Sequence, residues 1–172
     1  MRTRLLFLPC AIALALSGCD SKSETPAAPA GGSTATPTGK KAPEPDHVEV
    51  DHILIGIENL NAAPGGFSGK WALPKARVIA YDLLARLKAG GDWAKAKEEY
   101  SEDGQPGNRG GPYGMANYGV KTLPGERQRT GPQGMVPAFG NVGFKLAVGE
   151  IGIADFHPEA SPYGFHIIKR TK

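Results

Sequence analysis

The chain has 172 residues, with 20 lysines and arginines against 17 aspartates and glutamates, for a formal net charge of +3. So small an excess, with no basic stripe, argues against nucleic acid as a partner. Both cysteines, Cys10 and Cys19, lie near the N-terminus, so the body of the chain has no thiol or disulfide and depends on its own core.

Arg2 and Arg4 precede an apolar run, Leu5 to Leu16. The run is too short for a permanent transmembrane helix, and a charged start before a short apolar stretch reads as a secretory signal. It ends in L-S-G-C at Leu16 to Cys19. Small residues before a cysteine resemble the lipobox of bacterial lipoproteins. That resemblance implies that residues 1–18 are removed and that Cys19 becomes the lipidated N-terminus. An ordinary signal peptide with an incidental cysteine is the alternative. Two or three acyl chains at Cys19 would give firm membrane anchoring without a spanning helix.

From Asp20 to Asp46 the chain contains no Val, Ile, Leu, Met, Phe, Trp or Tyr. Such a stretch cannot bury enough apolar surface to offset its ordering entropy. Residues 19–46 therefore read as a lipidated cysteine and a Pro/Ala/Gly/Thr-rich tether, roughly 30 Å long as a coil and roughly 80 Å fully extended.

Residues 47–172 are a normal length for one domain. Val48 to Ile57 alternates and then runs H-I-L-I, which predicts a buried central strand. Glu58 to Trp71 contains Pro64, Gly65, Gly66 and Gly69 and predicts a loop. Pro74 suits a first helical turn. Ala76, Ile79 or Ala80, Leu83 and Leu87 follow at helical spacing, and Gly90 closes the helix. Asp92 is placed to cap a second helix running to Tyr100, with Trp93, Ala96 and Tyr100 on one face. Ser101 to Gly114 is a Gly-rich loop, with a short strand possible over Tyr113 to Ala116.

Residues 117–133 show no periodicity and carry Lys121, Arg127 and Arg129, which predicts an inserted surface loop. Pro137 opens a third helix that points Phe139, Val142 and Leu146 inward and ends at Gly149. Gly140 and Gly143 weaken it by roughly 1 kcal/mol each relative to Ala. Ile151 to Phe156 and Gly164 to Lys169 predict two more strands. The order predicts an α+β domain with helices packed around an antiparallel sheet. His47 and His157 stand in turn or linker sequence and read as surface residues. Four scattered histidines without a cysteine partner give no metal-ligand spacing, so no metal and no cofactor are expected.

Four strings remain: V-D-H-I-L-I around His52, Y-S-E-D-G around Asp103, G-M-V-P-A-F from Gly134, and S-P-Y-G-F-H-I-I-K-R around His166. With G-F-K-L-A-V-G-E-I between the last two, their order and spacing resemble the parvulin family of peptidyl-prolyl cis/trans isomerases, from about His47 to the C-terminus. The resemblance implies a single domain of the FKBP-like superfold, with a four-stranded, mainly antiparallel sheet and about four helices. It implies that Met135 and Phe139 line an apolar proline pocket, with Tyr113, Ser161 and Tyr163 also binding substrate. His52 and His166 would meet on neighbouring strands, hydrogen-bonded to each other. Asp103 matches a position that carries Asp or Cys in different parvulins, which argues for a polar and not a covalent role.

This sequence also departs from the family pattern. Tyr113 stands where Leu is usual, Ser161 where Thr is usual, and Met115 and Ala116 replace an aromatic pair. The loop Glu58 to Trp71 has Lys70 as its only cation. Selection of phosphoserine before proline, which needs paired cations, is therefore not expected.

Two functions follow as expectations. The first is a prolyl isomerase, lipid-anchored in the bacterial cell envelope on the extracytoplasmic side, monomeric, acting on proline-containing unfolded or exported polypeptides. The second is a chaperone-like module that holds extended segments with little turnover.

Overall fold

The computed structural model describes residues 43–58, 63–104 and 110–172. The signal segment, Cys19, most of the tether and parts of the loops after Ile57 and Asp103 lie outside the described residues.

Among the described residues, five strands form one mixed sheet in the order β3-β2-β1-β5-β4. They are β1 His47–Gly56, β2 Tyr113–Ala116, β3 Arg127–Gln128, β4 Ile151–Ala154 and β5 Gly164–Arg170. β1 is central because its apolar run has burial to find on both faces. Ile53 and Ile55 pack with Phe165 and Ile167 of β5 on one face, while Val48 and Val50 pack with Ile168 on the other.

The first face is covered by α1 Leu73–Lys88 and α2 Trp93–Tyr100. α1 begins with Pro74 in its first turn and buries Ala76, Ala80, Leu83 and Leu87, a four-three-four spacing that keeps one stripe on the sheet. Burying each leucine contributes about 1.5–3 kcal/mol, and Leu83→Ala would lose about 2–5 kcal/mol. Asp92 caps α2 by accepting the Lys95 backbone N–H at 3.0 Å. Trp93, Ala96 and Tyr100 belong to the same core, as their spacing predicts.

The second face is covered by α3 Pro137–Lys145, which contributes Phe139 and Phe144 to a separate core with Met115 and Leu146. α3 ends earlier than the sequence suggests. Leu146 is extended and turns its side chain into this core, and Gly149, at φ +85°, serves the turn into β4. Gly140 answers a close approach: a Cβ there would lie 1.9 Å from the Arg129 carbonyl oxygen. Its low helix propensity is the consequence of seating α3 against the backbone of residues 117–133.

The sheet differs from expectation in one element. The expected count of four mainly antiparallel strands becomes five, because residues 117–133 are not a plain surface loop. Met115 pairs with Arg127 and Ala116 with Gln128 in parallel, and the Met135 N–H then donates to the Gln128 carbonyl at 3.0 Å. Two residues of strand are too short to show a period. Among the described residues, three α-helices and one 3-10 turn, Pro64–Gly66, stand in place of about four helices.

The insertion also meets the chain before β1. Arg129, 5% exposed, bonds Glu44 and donates to Asn117 and Asn141 Oδ1, each at 3.0 Å. Its guanidinium lies between the rings of Tyr118 and Phe144. Asn117 Nδ2 donates to the Pro45 carbonyl at 3.0 Å.

Candidate active site

The face of β1 and β5 opposite α1 carries both buried histidines. Antiparallel register places Leu54 opposite His166 and Ile168 opposite His52, so the two imidazoles are diagonal neighbours on one face. Phe139, fully buried at the start of α3, meets both edge-on, at centroid distances of 5.0 Å from His52 and 5.4 Å from His166. Tyr113 on β2 stacks on His52 at 5.5 Å.

Asp103 arrives by way of a backbone docking. After α2, the Glu102 N–H donates to the Leu54 carbonyl, and the Ser101 hydroxyl accepts the Leu54 N–H at 3.2 Å. The two oxygens of Glu102 accept the backbone N–H groups of Gly56 and Lys70. Residues 101–103 thus run along β1 and deliver the Asp103 carboxylate to His52. Asp103 Oδ2 lies 3.3 Å from His52 Nε2 and accepts the Tyr113 hydroxyl at 2.8 Å. Gly110 passes so close that a Cβ would fall 2.1 Å from that same oxygen.

These residues open onto a cavity of about 510 Å³. His52, His166, Phe139, Leu54 and Met135 line it, together with Tyr113, Asp103 and Tyr163. Of the catalytic and substrate-binding candidates, all of them among the described residues, Ser161 alone stays outside the lining. It is fully buried in the turn before β5, and its hydroxyl donates to the Gly164 carbonyl at 2.8 Å. Phe67, Glu102 and Arg127 also line the cavity, and the sequence did not single them out. Phe67 meets Tyr163 edge-on at 5.5 Å, and Arg127 lies over the Tyr113 ring. The one available signal was an aromatic and an arginine in stretches otherwise reading as loop.

Burial sets the electrostatics. It pushes His52 down to about 3, with the Lys97 ammonium adding to the effect, and pushes His166 down to about 3, with His52 adding. Burial and the hydrogen bond to Asp103 raise the Tyr113 phenol to about 12. Burial raises Glu102 against the pull of its two backbone donors. Near neutral pH the imidazoles are therefore uncharged and the phenol keeps its proton. The expected hydrogen bond between the histidines is not formed: their rings are tilted by 47° at 5.4 Å. His52 Nδ1 and both nitrogens of His166 have no hydrogen-bond partner among the described residues. The site is thus apolar at its buried end, with polar groups gathered around Asp103.

His47 and His157 are elsewhere. His47 opens β1 and bonds Glu126 at 2.9 Å, and exposed His157 accepts the backbone N–H groups of Glu159 and Ala160. Among the described residues no group of three or more His, Cys, Asp or Glu is arranged to hold a metal.

The model of the PPIC-type PPIASE domain matches residues 36–172. The foldase protein PrsA of Geobacillus kaustophilus is 33% identical over 99 residues, which is 58% of this chain and 29% of that protein. The PrsA of Caldanaerobacter subterraneus subsp. tengcongensis is 36% identical over 90 residues, 52% of this chain and 24% of that protein. The chaperone SurA of Alkalilimnicola ehrlichii is 35% identical over 96 residues, 56% of this chain and 18% of that protein. The matched region spans less than a third of each of these relatives.

Proposed function

Since the chain belongs to the PPIC-type peptidyl-prolyl isomerase (parvulin) family, we propose that it is a prolyl cis/trans isomerase that assists the folding of exported proteins. The observation that carries the reading is the apolar end of the cavity, where Phe139 and Met135 stand beside two uncharged, buried histidines.

The task explains why such a site suffices. Resonance gives the amide a rotational barrier of roughly 18–20 kcal/mol, and uncatalysed prolyl isomerisation takes tens to hundreds of seconds. A ten-thousandfold acceleration needs about 5.5 kcal/mol. No bond is broken. The twisted amide has lost resonance and its charge separation, so an apolar setting favours it over the planar form. Met135, in the extended segment just before α3, and Phe139, in the first turn of that helix, grip the ring where both line the cavity. Asp103, oriented by Tyr113 and set against His52, provides the polar contact to the backbone around the proline.

The leader supports extracytoplasmic placement, with Cys19 as the lipidated residue and the stretch from Asp20 as tether. Cys19→Ser should abolish lipidation and leave the protein soluble or unprocessed. Retention in the membrane fraction after a high-salt wash would end the lipoprotein reading.

The names of the relatives, foldase and chaperone, keep a holding function in view as the second reading. A prolyl-peptide isomerisation assay on the chain from Lys41 onward separates the two. Acceleration of cis-to-trans conversion supports the isomerase. Binding of the peptide without acceleration supports the holding module.

A further inference from the structure

We propose that Arg127 is a specificity-determining residue of the cavity and selects segments that carry a carboxylate side chain beside the proline. The inference rests on the isomerase reading and gives it a substrate class.

Arg127 is exposed on β3, and its guanidinium lies over the Tyr113 ring at 5.3 Å from the centroid while lining the cavity. It has no ion pair among the described residues. Its neighbours are engaged elsewhere: Glu126 bonds His47 and the Leu123 N–H, and Arg129 bonds Glu44. The two cavity carboxylates are also held elsewhere. Glu102 has a backbone donor on each oxygen, on the wall shared with Phe67 and Gly56. Asp103 accepts the Tyr113 hydroxyl beside His52.

A guanidinium held over a ring by cation–π attraction satisfies no N–H group there, so its donors stay available, and its planar fork matches a carboxylate. Position completes the argument. Gln128, the residue after Arg127, bridges to Gly134 and accepts the Met135 N–H. Arg127 therefore stands one strand residue from the segment that carries Met135. A peptide seated with its proline against Met135 must pass a flanking side chain near that guanidinium. A phosphate is the weaker match, because one cation would face a dianion in a cavity that already holds two carboxylates.

The test compares the full-length protein on three peptides identical except for Glu, Ala or Lys beside the proline. The Glu peptide should exceed the Ala peptide in kcat/KM by about threefold, the scale of an exposed ion pair, with the Lys peptide below both. The preference should shrink at 1 M salt, where screening reaches about 3 Å. Arg127→Gln should bring the Glu-to-Lys ratio to about one, and Arg127→Glu should invert it. Each ratio is taken within one variant, so a general loss of rate cancels. Equal rates on all three peptides, or an unchanged ratio in Arg127→Gln, would overturn the inference and leave the isomerase reading standing. Fluorescence anisotropy with the same peptides reads the preference without turnover. A Glu preference in binding with no acceleration of any peptide would instead overturn the isomerase reading and keep the role of Arg127. Neither binding nor acceleration would overturn both.

Discussion

Asp103 Oδ2 is shared between Tyr113, whose hydroxyl donates to it at 2.8 Å, and His52, whose Nε2 lies 3.3 Å away. One oxygen thus joins the loop after α2, strand β2 and strand β1. The usual leucine at position 113 could not make this bond, so the carboxylate here has an orienting partner of its own.

Tyr113→Phe should therefore keep the ring over His52 and lose the orientation of Asp103. A net hydrogen bond of about 0.5–1.5 kcal/mol predicts a fall of roughly two- to tenfold in kcat/KM with the thermal midpoint little changed. Asp103→Cys should retain substantial activity, and Asp103→Asn should cost less than Asp103→Leu. A covalent adduct detected by mass in any of these variants would sink the non-covalent mechanism.

Met135 and Phe139 share the cavity but differ in burial, and this separates their expected effects. Phe139 is fully buried between both histidines, whereas Met135 is partly exposed. Phe139→Ala should destabilise the fold by about 3–5 kcal/mol, measured by urea unfolding. Met135→Ala should leave stability within about 1 kcal/mol and lower kcat/KM about tenfold, or ~1.4 kcal/mol. Unchanged activity in folded Met135→Ala would remove that residue from the proline pocket.

Acid should act on the fold before it acts on the chemistry. His52 and His166 are lowered to about 3 in the folded state, from about 6.5 when unfolded. Between those values the unfolded chain binds protons that the native chain does not. Stability is therefore full above the unfolded value and falls as pH drops, by about 1.4 kcal/mol per pH unit for each histidine. The urea midpoint should decline from pH 7 to pH 5, and less steeply in His166→Leu. Across pH 6.5 to 8, kcat/KM should be flat. A bell-shaped profile that vanishes in folded, active His52→Leu and His166→Leu would contradict the picture.

The segment before β1 should matter to the domain. Arg129 is buried and bonded to Glu44, so Glu44→Gln leaves a guanidinium with a weaker acceptor and should cost about 2 kcal/mol. A chain starting at His47 should melt below one starting at Lys41. Equal melting temperatures would show that residues before His47 add nothing to the fold.

Much of this was readable in advance where a residue's burial follows from its neighbours in sequence. The H-I-L-I run of β1 is apolar on both faces because helices cover both, and the α1 stripe repeats for four turns. Asp92 announces its helix because a cap needs only three residues of local context. The bringing together of His52, Asp103, Met135, Phe139 and His166 rests on long-range register, and only the resemblance to a known family made that set visible. β3 stayed hidden because its two residues pair with a partner chosen by tertiary contact. Phe67, Glu102 and Arg127 were missed for the same reason. The relation of the two histidines depended on ring orientations, which no sequence pattern encodes.

β3 has a further consequence. Without it, β2 would form the rim of the sheet, its outward N–H and C=O groups unpaired, and such a rim templates pairing with any extended chain. Arg127 and Gln128 occupy that side, and the Arg129 N–H takes the Ala116 carbonyl at 2.8 Å. The other rim, β4, is only four residues long. A protein proposed to work among unfolded chains is thereby guarded against edge-to-edge aggregation with them, and the stretch that shapes the cavity mouth is also the guard.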